Sequence, residues 1–544
     1  MKKRSMKLIC LTVLTTMCVS LFAGCGQKEN TDDKSSAQNE TKTVESTAKT
    51  AESETVKEEV PEAQMPEELT IFANLPSGSK KLGAEDYNDV ASFRLMEELT
   101  GCHVNWIHPA SVNESFNLMI TSGELPDCIV YSWRVVANGV GTYYDDGVII
   151  DLADMIDQYM PNLSAYLKEN PDVKKQISTD DGKILYIPFI RKDPQLCRYQ
   201  GPIIRKDWLD KLGLEIPKTT DDLYEVLKAF KTQDPNGNGE ADEIPMTGIR
   251  FEDTTNGIGN LVWAFGSTYD FCLEDGKVIY GPMTDNFKTG LEYVRKLFAE
   301  ELIDPDYLLN DSGMFKSKIT TNVSGFAFNY QPTAFYDVMK DTGAELVGIN
   351  YLEGSNGEKS CYNPYYVQNT INTSLAITTA NKNPEGTLKW LDNFFGGEGY
   401  NYMNFGEEGV SYTMVDGQPI LTPEVLKVDE TLGVNSVNLY IANMSSGFPS
   451  LQDFRYYSQT LSSWGRDAVN TWFDDDVNVD NILPVLTFTS DEQSEITDTM
   501  AQIKTYVIEE ITNAVLGRTD VEDWDKVVET MKSMGIENVL EIYN

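Results

Sequence analysis

The chain has 544 residues, of which 41% are hydrophobic and 10% aromatic, so the composition excludes a wholly disordered protein and the length favours several domains. It carries 44 Lys and Arg against 85 Asp and Glu, a net charge of −41, and we expect no nucleic-acid partner because phosphate contacts need clustered basic residues. The chain has only two histidines, His103 and His108, which argues against a multi-histidine zinc site or a mechanism with a partnered His base.

The first residues have the pattern of an export signal. A basic start precedes an apolar stretch at 8–22, which is shorter than the ~20 residues of a membrane-spanning helix. The letters LFAGC at 21–25 resemble the lipobox of bacterial lipoproteins, although Phe22 replaces the usual Leu. This resemblance implies a signal peptide at 1–24 and a lipidated Cys25 that anchors the chain on the extracellular face of the cell membrane. The alternative is an ordinary secretory signal that contains a cysteine.

The segment after the signal is low in large apolar side chains. Residues 25–67 consist mainly of Ser, Thr, Glu, Lys, Gln and Ala, and such a segment cannot bury enough surface to fold. We therefore predict a disordered acidic tether. The cysteines beyond it form an odd and scattered set, which is typical of buried thiols rather than of a disulfide framework; they are Cys102, Cys128, Cys197, Cys272 and Cys361.

Strand-like and helical patterns alternate from residue 68 onwards. The first of them, strand and helix in turn, lie at 68–73, 91–99, 102–107, 115–121 and 128–131. A second α/β unit follows, with helices at 207–212, 220–230, 290–301 and 383–395, strands at 325–328 and 375–377, and a helical tail at 490–516 and 521–534. This alternation predicts parallel sheets covered by helices, in which ligands bind at the carboxyl ends of the strands.

Four ordered motifs point to a family. They are TSGELPD at 121–127, IRKDWLDKLGL at 204–214, NFGEEGV at 404–410 and GRTDVEDW at 517–524. Together they resemble the extracellular solute-binding proteins of ATP-driven sugar importers, in particular the large lipoproteins related to alginate-oligosaccharide-binding proteins. The resemblance implies a two-lobed α/β fold of the periplasmic-binding-protein type, with hinge crossings and a helical C-terminal region.

The same resemblance implies where the chain divides. The first lobe would comprise 68–195 plus 372–402, and the second 196–371 plus 403–544. The crossings between the lobes would lie near 187–204, 366–374 and 400–410.

Residues 234–243 have the letters DPNGNGEADE, and the first nine of them match the first nine positions of an EF-hand loop. Ca²⁺ prefers six to eight oxygen ligands, which alternate side chains in a tight loop can supply. The expected ligands are the side chains of Asp234, Asn236, Asn238 and Asp242 and the backbone carbonyl of Glu240. Pro245 stands at position twelve, where an EF-hand has Glu, and the resemblance to alginate-binding proteins implies that Glu243 takes that role. The alternative is a polar Asn-Gly turn without an ion.

Aromatic residues are the candidates for a sugar site, because sugars present C–H faces to rings and hydroxyls to polar groups. The candidates are Tyr131, Trp133, Trp263, Tyr330, Trp464 and Trp472. Trp133 follows the end of a strand, and for each tryptophan the alternative is a place in the core. Arg198, in a basic cluster at 191–206, is the candidate for a uronate carboxylate, with salt bridges to surplus acidic residues as its alternative.

These features favour a monomeric substrate-binding lipoprotein of an ABC importer. We expect the protein to hold structural calcium and to bind an oligosaccharide, which can contain uronate units, between its lobes. We expect it to pass this ligand to the permease without a catalytic step. One alternative is a receptor for a peptide or another small solute. The other is an extracellular glycan hydrolase, which needs a carboxylate pair such as Glu407-Glu408.

Overall fold

Two β-sheets, each covered by helices, organise the chain into two lobes. The computed structural model describes residues 63–361, 370–429, 431–432, 434–444, 447–475 and 477–544. The predicted signal peptide, Cys25 and most of the predicted tether lie outside these residues. Among the described residues, no helix combines the length and the apolar character needed to cross a bilayer.

The strands of the described residues follow one another along the whole chain. In chain order they are β1 (Glu68–Phe72), β2 (His103–Ile107), β3 (Cys128–Tyr131), β4 (Ile187–Arg191), β5 (Gln200–Arg205), β6 (Ile244–Met246), β7 (Phe271–Glu274), β8 (Lys277–Tyr280), β9 (Ser324–Tyr330), β10 (Leu346–Gly348), β11 (Thr370–Ile377), β12 (Tyr412–Val415), β13 (Gln418–Leu421), β14 (Val428–Asp429), β15 (Val434–Asn435) and β16 (Ser450–Gln452).

The α-helices lie between these strands and dominate the C-terminal region. They are α1 (Ser77–Lys81), α2 (Ala91–Thr100), α3 (Val112–Ser122), α4 (Val140–Asp145), α5 (Ala153–Tyr159), α6 (Pro161–Glu169), α7 (Pro171–Ile177), α8 (Lys206–Leu212), α9 (Thr220–Thr232), α10 (Asp285–Ala299), α11 (Ser312–Thr320), α12 (Thr333–Met339), α13 (Pro384–Asp392), α14 (Gly397–Phe405), α15 (Phe454–Thr460), α16 (Ser463–Phe473), α17 (Ser490–Val515), α18 (Trp524–Ser533) and α19 (Ile536–Tyr543).

The first lobe is built on a six-stranded sheet in the order β16-β4-β11-β3-β1-β2. β1 pairs in parallel with β2 and β3, and β4 pairs in parallel with β16. β11 runs antiparallel to both of its neighbours, β3 and β4. Short apolar strands such as β3 are buried, as expected where helices cover both faces of a sheet. The predicted helix-covered sheet is therefore confirmed. The predicted parallel pairing is wrong for β11, and in the second lobe for β5, which runs antiparallel to β9 and β10.

The second lobe is built on a four-stranded sheet in the order β10-β5-β9-β6. Its core contains Trp208 and Phe230, and one face of α17, with Ile503, Val507 and Ile511, packs into the same cluster. The apolar residues of α17 recur at helical spacing, so a single stripe of the helix is buried. The C-terminal region is helical, as predicted, and its core belongs to the second lobe.

Three segments of chain connect the lobes. The first runs from the end of β4 to the start of β5, inside the predicted crossing at 187–204. The second precedes β11; residues 366–369 of the crossing predicted at 366–374 lie outside the described residues. The third leads from β16 through α15 to α16, and therefore lies beyond 450 rather than at the predicted 400–410.

The late third crossing places residues 403–453 with the first lobe, whereas the predicted second lobe includes 403–544. α14 packs on α2, and a small core around the β12–β13 hairpin follows, with Phe405, Tyr412 and Tyr456. β16 then pairs with β4, with Leu451 opposite Ile190. The prediction differs from the structure for a physical reason. The segment is assigned to a lobe by contacts with elements far earlier in the chain, such as the pairing of β16 with β4, and these contacts leave no local sequence pattern.

Candidate ligand-binding cleft

A pocket opens at the carboxyl ends of β1 and β3, and we call it the β1–β3 pocket. It has a volume of about 360 Å³. Its polar lining consists of amide, hydroxyl and phenol groups from Asn74, Asn113, Tyr131, Ser132 and Thr373. Ser132 directly follows β3 and Asn74 lies two residues beyond the end of β1, at the edge where ligands of α/β sheets bind. The pocket thus combines hydrogen-bonding groups with an aromatic ring, as sites for small polar ligands do.

Tyr131 is held rigidly in the wall of this pocket. Its ring stacks on Phe116 with the centroids 3.9 Å apart and the planes within 3°. Its hydroxyl donates a hydrogen bond of 2.8 Å to Oδ1 of Asn113, and burial raises the pKa of this phenol. The predicted ligand residue Tyr131 therefore lies in the lining of a pocket, with its orientation fixed from one side.

Trp133 lies two residues beyond Tyr131 but points into the core. It is 0% exposed, and its indole N–H donates to the carbonyl of Ile129 at 2.9 Å. Its ring packs edge-on against Phe116 and Tyr143 at 5.6 and 5.5 Å. Trp133 is the first residue of a 3₁₀ turn, Trp133–Val135, which directly follows β3 and Ser132. In this conformation Trp133 offers no exposed face to a ligand.

A second aromatic surface lies where the first crossing enters the second lobe. Tyr330, at the end of β9, is 42% exposed, and its ring stacks on Tyr199 with the centroids 5.6 Å apart. Nη2 of Arg191 donates to the Tyr199 hydroxyl at 3.0 Å, and the guanidinium lies 5.0 Å from the centre of the Tyr199 ring. We call these three residues the crossing platform. Tyr330 is a predicted site residue, whereas Tyr199 is one that the sequence analysis missed.

The missed residues had a usable signal. Tyr199 directly follows the predicted residue Arg198 inside the predicted crossing. Asn74 and Ser132 directly follow predicted strands, so the rule that ligands bind at strand ends would have selected them. Thr373 had no such signal, because it depends on where β11 joins the sheet.

The other predicted site residues have structural neighbours of their own. Nη1 of Arg198 donates to the carbonyl of Phe473 at 2.9 Å, which ties the first crossing to the end of α16. Trp263 is 2% exposed and packs edge-on against Phe328 in the second lobe. Trp464 is half-buried and contacts Tyr336 edge-on at 5.2 Å. Trp472 is buried as well, with its N–H bonded to Ile349 at 3.0 Å.

The loop at 234–243 folds back so that its polar groups converge. The carboxylate of Asp234 accepts hydrogen bonds from the backbone N–H groups of Gly237, Asn238 and Gly239 at 2.8, 3.1 and 3.2 Å. Gly237 and Gly239 have φ angles of 75° and 82°, a left-handed conformation in which only glycine avoids strain. The glycines thus allow the tight turn that brings alternate side chains to one side.

The predicted ligand side chains meet inside this loop. The side-chain amides of Asn236 and Asn238 donate to the Asp242 carboxylate at 2.9 and 3.0 Å, and these bonds lower the pKa of Asp242. Glu240 is exposed, and its backbone N–H donates to Oδ1 of Asn238. Among the described residues, no three His, Cys, Asp or Glu side chains group closely enough for a metal site, so asparagine oxygens would have to complete one here.

The surroundings of Glu243 indicate whether the loop suits a bound cation. Its Oε1 is buried without a hydrogen-bond partner, and burial, with the nearby charges of Asp242 and Asp234, raises the pKa of its carboxyl. A buried carboxylate oxygen without a partner is costly, and a bound cation would remove that cost. On the outer side of the loop, Lys211 donates to the carbonyls of Asp234 and Pro235, each at 3.0 Å. The donor set therefore fits a hard, oxygen-seeking cation.

The chain is similar in sequence to known proteins over most of its length. The sequence model described as bacterial extracellular solute-binding protein matches residues 73–400. The fructooligosaccharide ABC transporter substrate-binding protein FusA of Streptococcus pneumoniae serotype 4 is 28% identical over 560 residues, which cover 97% of this chain and 96% of that protein. Lipoprotein LipO of Bacillus subtilis is 26% identical over 87% of this chain and 93% of LipO.

Solved structures are similar to both lobes. FusA of S. pneumoniae in complex with kestose has a TM-score of 0.69 at 26% identity, covering 88% of this chain and 98% of FusA. An EF-hand mutant of FusA in complex with fructo-nystose gives the same values. The alginate-binding protein AlgQ2, solved without calcium ion, has a TM-score of 0.67 at 26% identity over 88% of this chain and 97% of AlgQ2.

The contrast between Trp133 and Tyr330 can be measured. Trp133→Ala should lower the free energy of unfolding by about 3–5 kcal/mol, because the loss of a buried ring leaves a cavity. Tyr330→Ala should change it by no more than about 1 kcal/mol, because Tyr330 is 42% exposed and its loss leaves no enclosed cavity. Urea denaturation followed by circular dichroism gives both values. Similar costs for the two variants would contradict the burial described here.

Proposed function

We propose that this chain, which belongs to the bacterial extracellular solute-binding protein family, binds an oligosaccharide between its lobes and delivers it to the permease of an ABC importer. The observation that carries the proposal is the β1–β3 pocket, because its amides, hydroxyls and tyrosine suit a ligand with many hydroxyl groups and apolar ring faces. The similarity to FusA and AlgQ2, whose names state a fructooligosaccharide and alginate, supports the same ligand class.

The crossing platform would supply the second-lobe side of the site. Tyr330 and Tyr199 are stacked where the chain passes between the lobes, so a rotation of the lobes about the crossings would bring the β1–β3 pocket towards them. We assign Tyr131 and Tyr330 to the ligand site. We assign Arg198 to the crossing itself, because its guanidinium is bonded to the carbonyl of Phe473.

The proposal includes no catalytic step. Glycoside hydrolysis needs two carboxyl groups that flank the scissile bond. Among the described residues, those that line the β1–β3 pocket include neither Asp nor Glu, and Glu407 and Glu408 are exposed in the part of the first lobe that contains the β12–β13 hairpin. The relatives FusA and AlgQ2 are named as binding proteins, which supports the same conclusion.

The binding function is tested by calorimetric titration. The panel contains fructo-, gluco- and galacto-oligosaccharides, oligogalacturonates, alginate oligosaccharides and a mixture of short peptides. We expect micromolar or tighter binding of at least one oligosaccharide, without release of new reducing ends. Binding of peptides alone would support the other receptor class, and new reducing ends would support a hydrolase; either result contradicts the proposal.

Tyr330→Ala should weaken the binding of that oligosaccharide about tenfold or more, since the loss of a stacking face costs about 1.4 kcal/mol. The melting temperature of the unliganded protein should stay nearly unchanged. The matched control is Tyr224→Ala. Tyr224 is also a tyrosine of the second lobe, on α9, but its hydroxyl donates to Glu300 and it is not part of the crossing platform. Equal affinity losses in the two variants would remove Tyr330 from the site.

We further propose that the loop at 234–243 holds a structural calcium ion. Asp234, Asn236, Asn238, Asp242 and Glu243 would supply side-chain oxygens, and Glu240 would supply its carbonyl. The unpartnered oxygen of Glu243 supports this, as do the existence of an EF-hand mutant of FusA and of a structure of AlgQ2 without calcium ion. The ion would neutralise converging carboxylates and stabilise the second lobe without a part in chemistry.

Calcium removal should lower the melting temperature of the protein. An ion that binds only the folded state stabilises it by ~2.7 kcal/mol at a hundredfold excess over its dissociation constant, and calcium should act better than magnesium. The double variant Asp242→Ala, Glu243→Ala should melt as the chelated protein does and should not respond to calcium. In the control Glu240→Ala the carbonyl remains, so the response should persist. A melting curve that ignores both chelator and calcium would leave only an Asn-Gly turn.

The lipid anchor is the last part of the proposal. The lipobox-like ending at 21–25 and the similarity to lipoprotein LipO support acylation of Cys25 and a place on the extracellular face of the membrane. Cys25→Ser should release the protein into the medium with its ligand affinity unchanged. The control Cys18→Ser, within the apolar stretch of the signal, should stay in the membrane fraction. Retention of both variants in that fraction would contradict lipidation at Cys25.

A further inference from the structure

We infer that the ligand cleft continues into an apolar cavity that takes an aryl group attached to the oligosaccharide; this inference rests on the function proposed above. The cavity has a volume of about 360 Å³. It lies between Val135 and Val136 of the first lobe and the segment 483–488 and α17 of the second. Both lobes therefore contribute to it, as they would to a site that closes on its ligand.

Aromatic rings form one wall of the cavity. The ring of Tyr543 is stacked on Phe271, with the centroids 4.3 Å apart and the planes at 17°. Phe488 packs against the same tyrosine at 5.0 Å, with its plane turned by 61°. Such a group of rings gives the cavity an aromatic wall, and a further planar ring packs favourably against aromatic rings in offset-stacked or edge-to-face geometry.

The polar residues of the cavity are already bonded to protein groups. Lys504 lies 3.2 Å from Asp270, and Nη1 of Arg134 donates to the carbonyl of Thr370 at 3.3 Å. The amide of Gln493 donates to the hydroxyl of Thr497 at 3.1 Å. The apolar part of the lining, by contrast, includes Leu483, Val485, Leu486, Ile496 and Met500.

This lining discriminates between a sugar ring and an aryl ring. Against the apolar part of this lining the hydroxyl groups of a sugar ring would be buried without a partner, which costs free energy. An aryl ring has no such groups and gains from the burial of its apolar surface. The occupant that fits is therefore an aromatic substituent.

The cavity adjoins the proposed sugar site directly. Val135 and Val136 line both the β1–β3 pocket and the apolar cavity, and Val135 is 58% exposed between them. An oligosaccharide that ends in the β1–β3 pocket would carry a terminal substituent across Val135 into the cavity. The ligand class is thus an oligosaccharide with an aryl ether or an aromatic acyl ester at one end.

Matched glycosides test this inference. The methyl and 4-nitrophenyl glycosides of gluco-, galacto-, galacturono- and reducing fructo-oligosaccharides are titrated into the full folded protein by calorimetry. For the sugar that binds, the 4-nitrophenyl glycoside should bind at least about tenfold more tightly than the methyl glycoside, because only its ring enters the apolar cavity.

Thr497→Trp should abolish this gain by filling the cavity, with the affinity for the methyl glycoside unchanged. The matched control is Thr505→Trp, because both threonines are exposed on α17 and donate to the carbonyl four residues earlier, whereas Thr505 does not line the cavity.

The outcomes separate the two proposals. If oligosaccharides and methyl glycosides bind but the aryl group adds no affinity, or if its gain survives in Thr497→Trp, the apolar subsite is overturned and the sugar receptor stands. If neither oligosaccharide nor glycoside binds, the proposed function fails and the inference fails with it.

Discussion

The insertion of β11 between β3 and β4 is the constraint on which the two-lobed structure depends. The chain first completes the strands of the second-lobe sheet and only then returns to the first lobe, where Leu375 lies opposite both Val130 and Ile187. The first sheet therefore depends on a pairing between strands that the whole second-lobe sheet separates along the chain. Because the cost of closing a loop grows only slowly with its length, so distant a pairing remains compatible with a stable fold.

This insertion also builds the site. β1 and β3 point their carboxyl ends at the same edge of the sheet, and the antiparallel β11 brings Thr373 to that edge beside Tyr131. The first crossing leaves the sheet from β4, next to β11, and carries Arg191 and Tyr199 towards the second lobe. The polar pocket and the crossing platform are thus consequences of one strand order, and a change in that order would separate them.

Burial, more than residue type, decides what an aromatic side chain does in this protein. Trp133 and Tyr131 are two residues apart, yet one ring lies in the core and the other in the wall of a pocket. Trp263 and Trp472 are buried in the core as Trp133 is, and there large rings remove much apolar surface from water. Tyrosine serves better at the cleft, because its ring can stack while its hydroxyl keeps a polar partner.

The sequence by itself determined those features that depend on neighbouring residues. The alternation of strand and helix in the first lobe, the helical tail and the chelating pattern of the loop at 234–243 all follow from local propensity, periodicity and spacing, and the structure has the strands, the helices and the converging loop in those places. Tyr131 and Tyr330 could also be predicted from the sequence, since each lies at the end of a strand.

Only the tertiary structure decided which strands are neighbours. It placed residues 403–453 in the first lobe through the pairing of β16 with β4, turned Trp133 inward, and joined Val135 to an apolar wall formed by Phe271, Phe488 and Tyr543. The physical reason is that these contacts join residues far apart in the chain. Their energies depend on burial and packing in the complete fold, and no local sequence pattern records them.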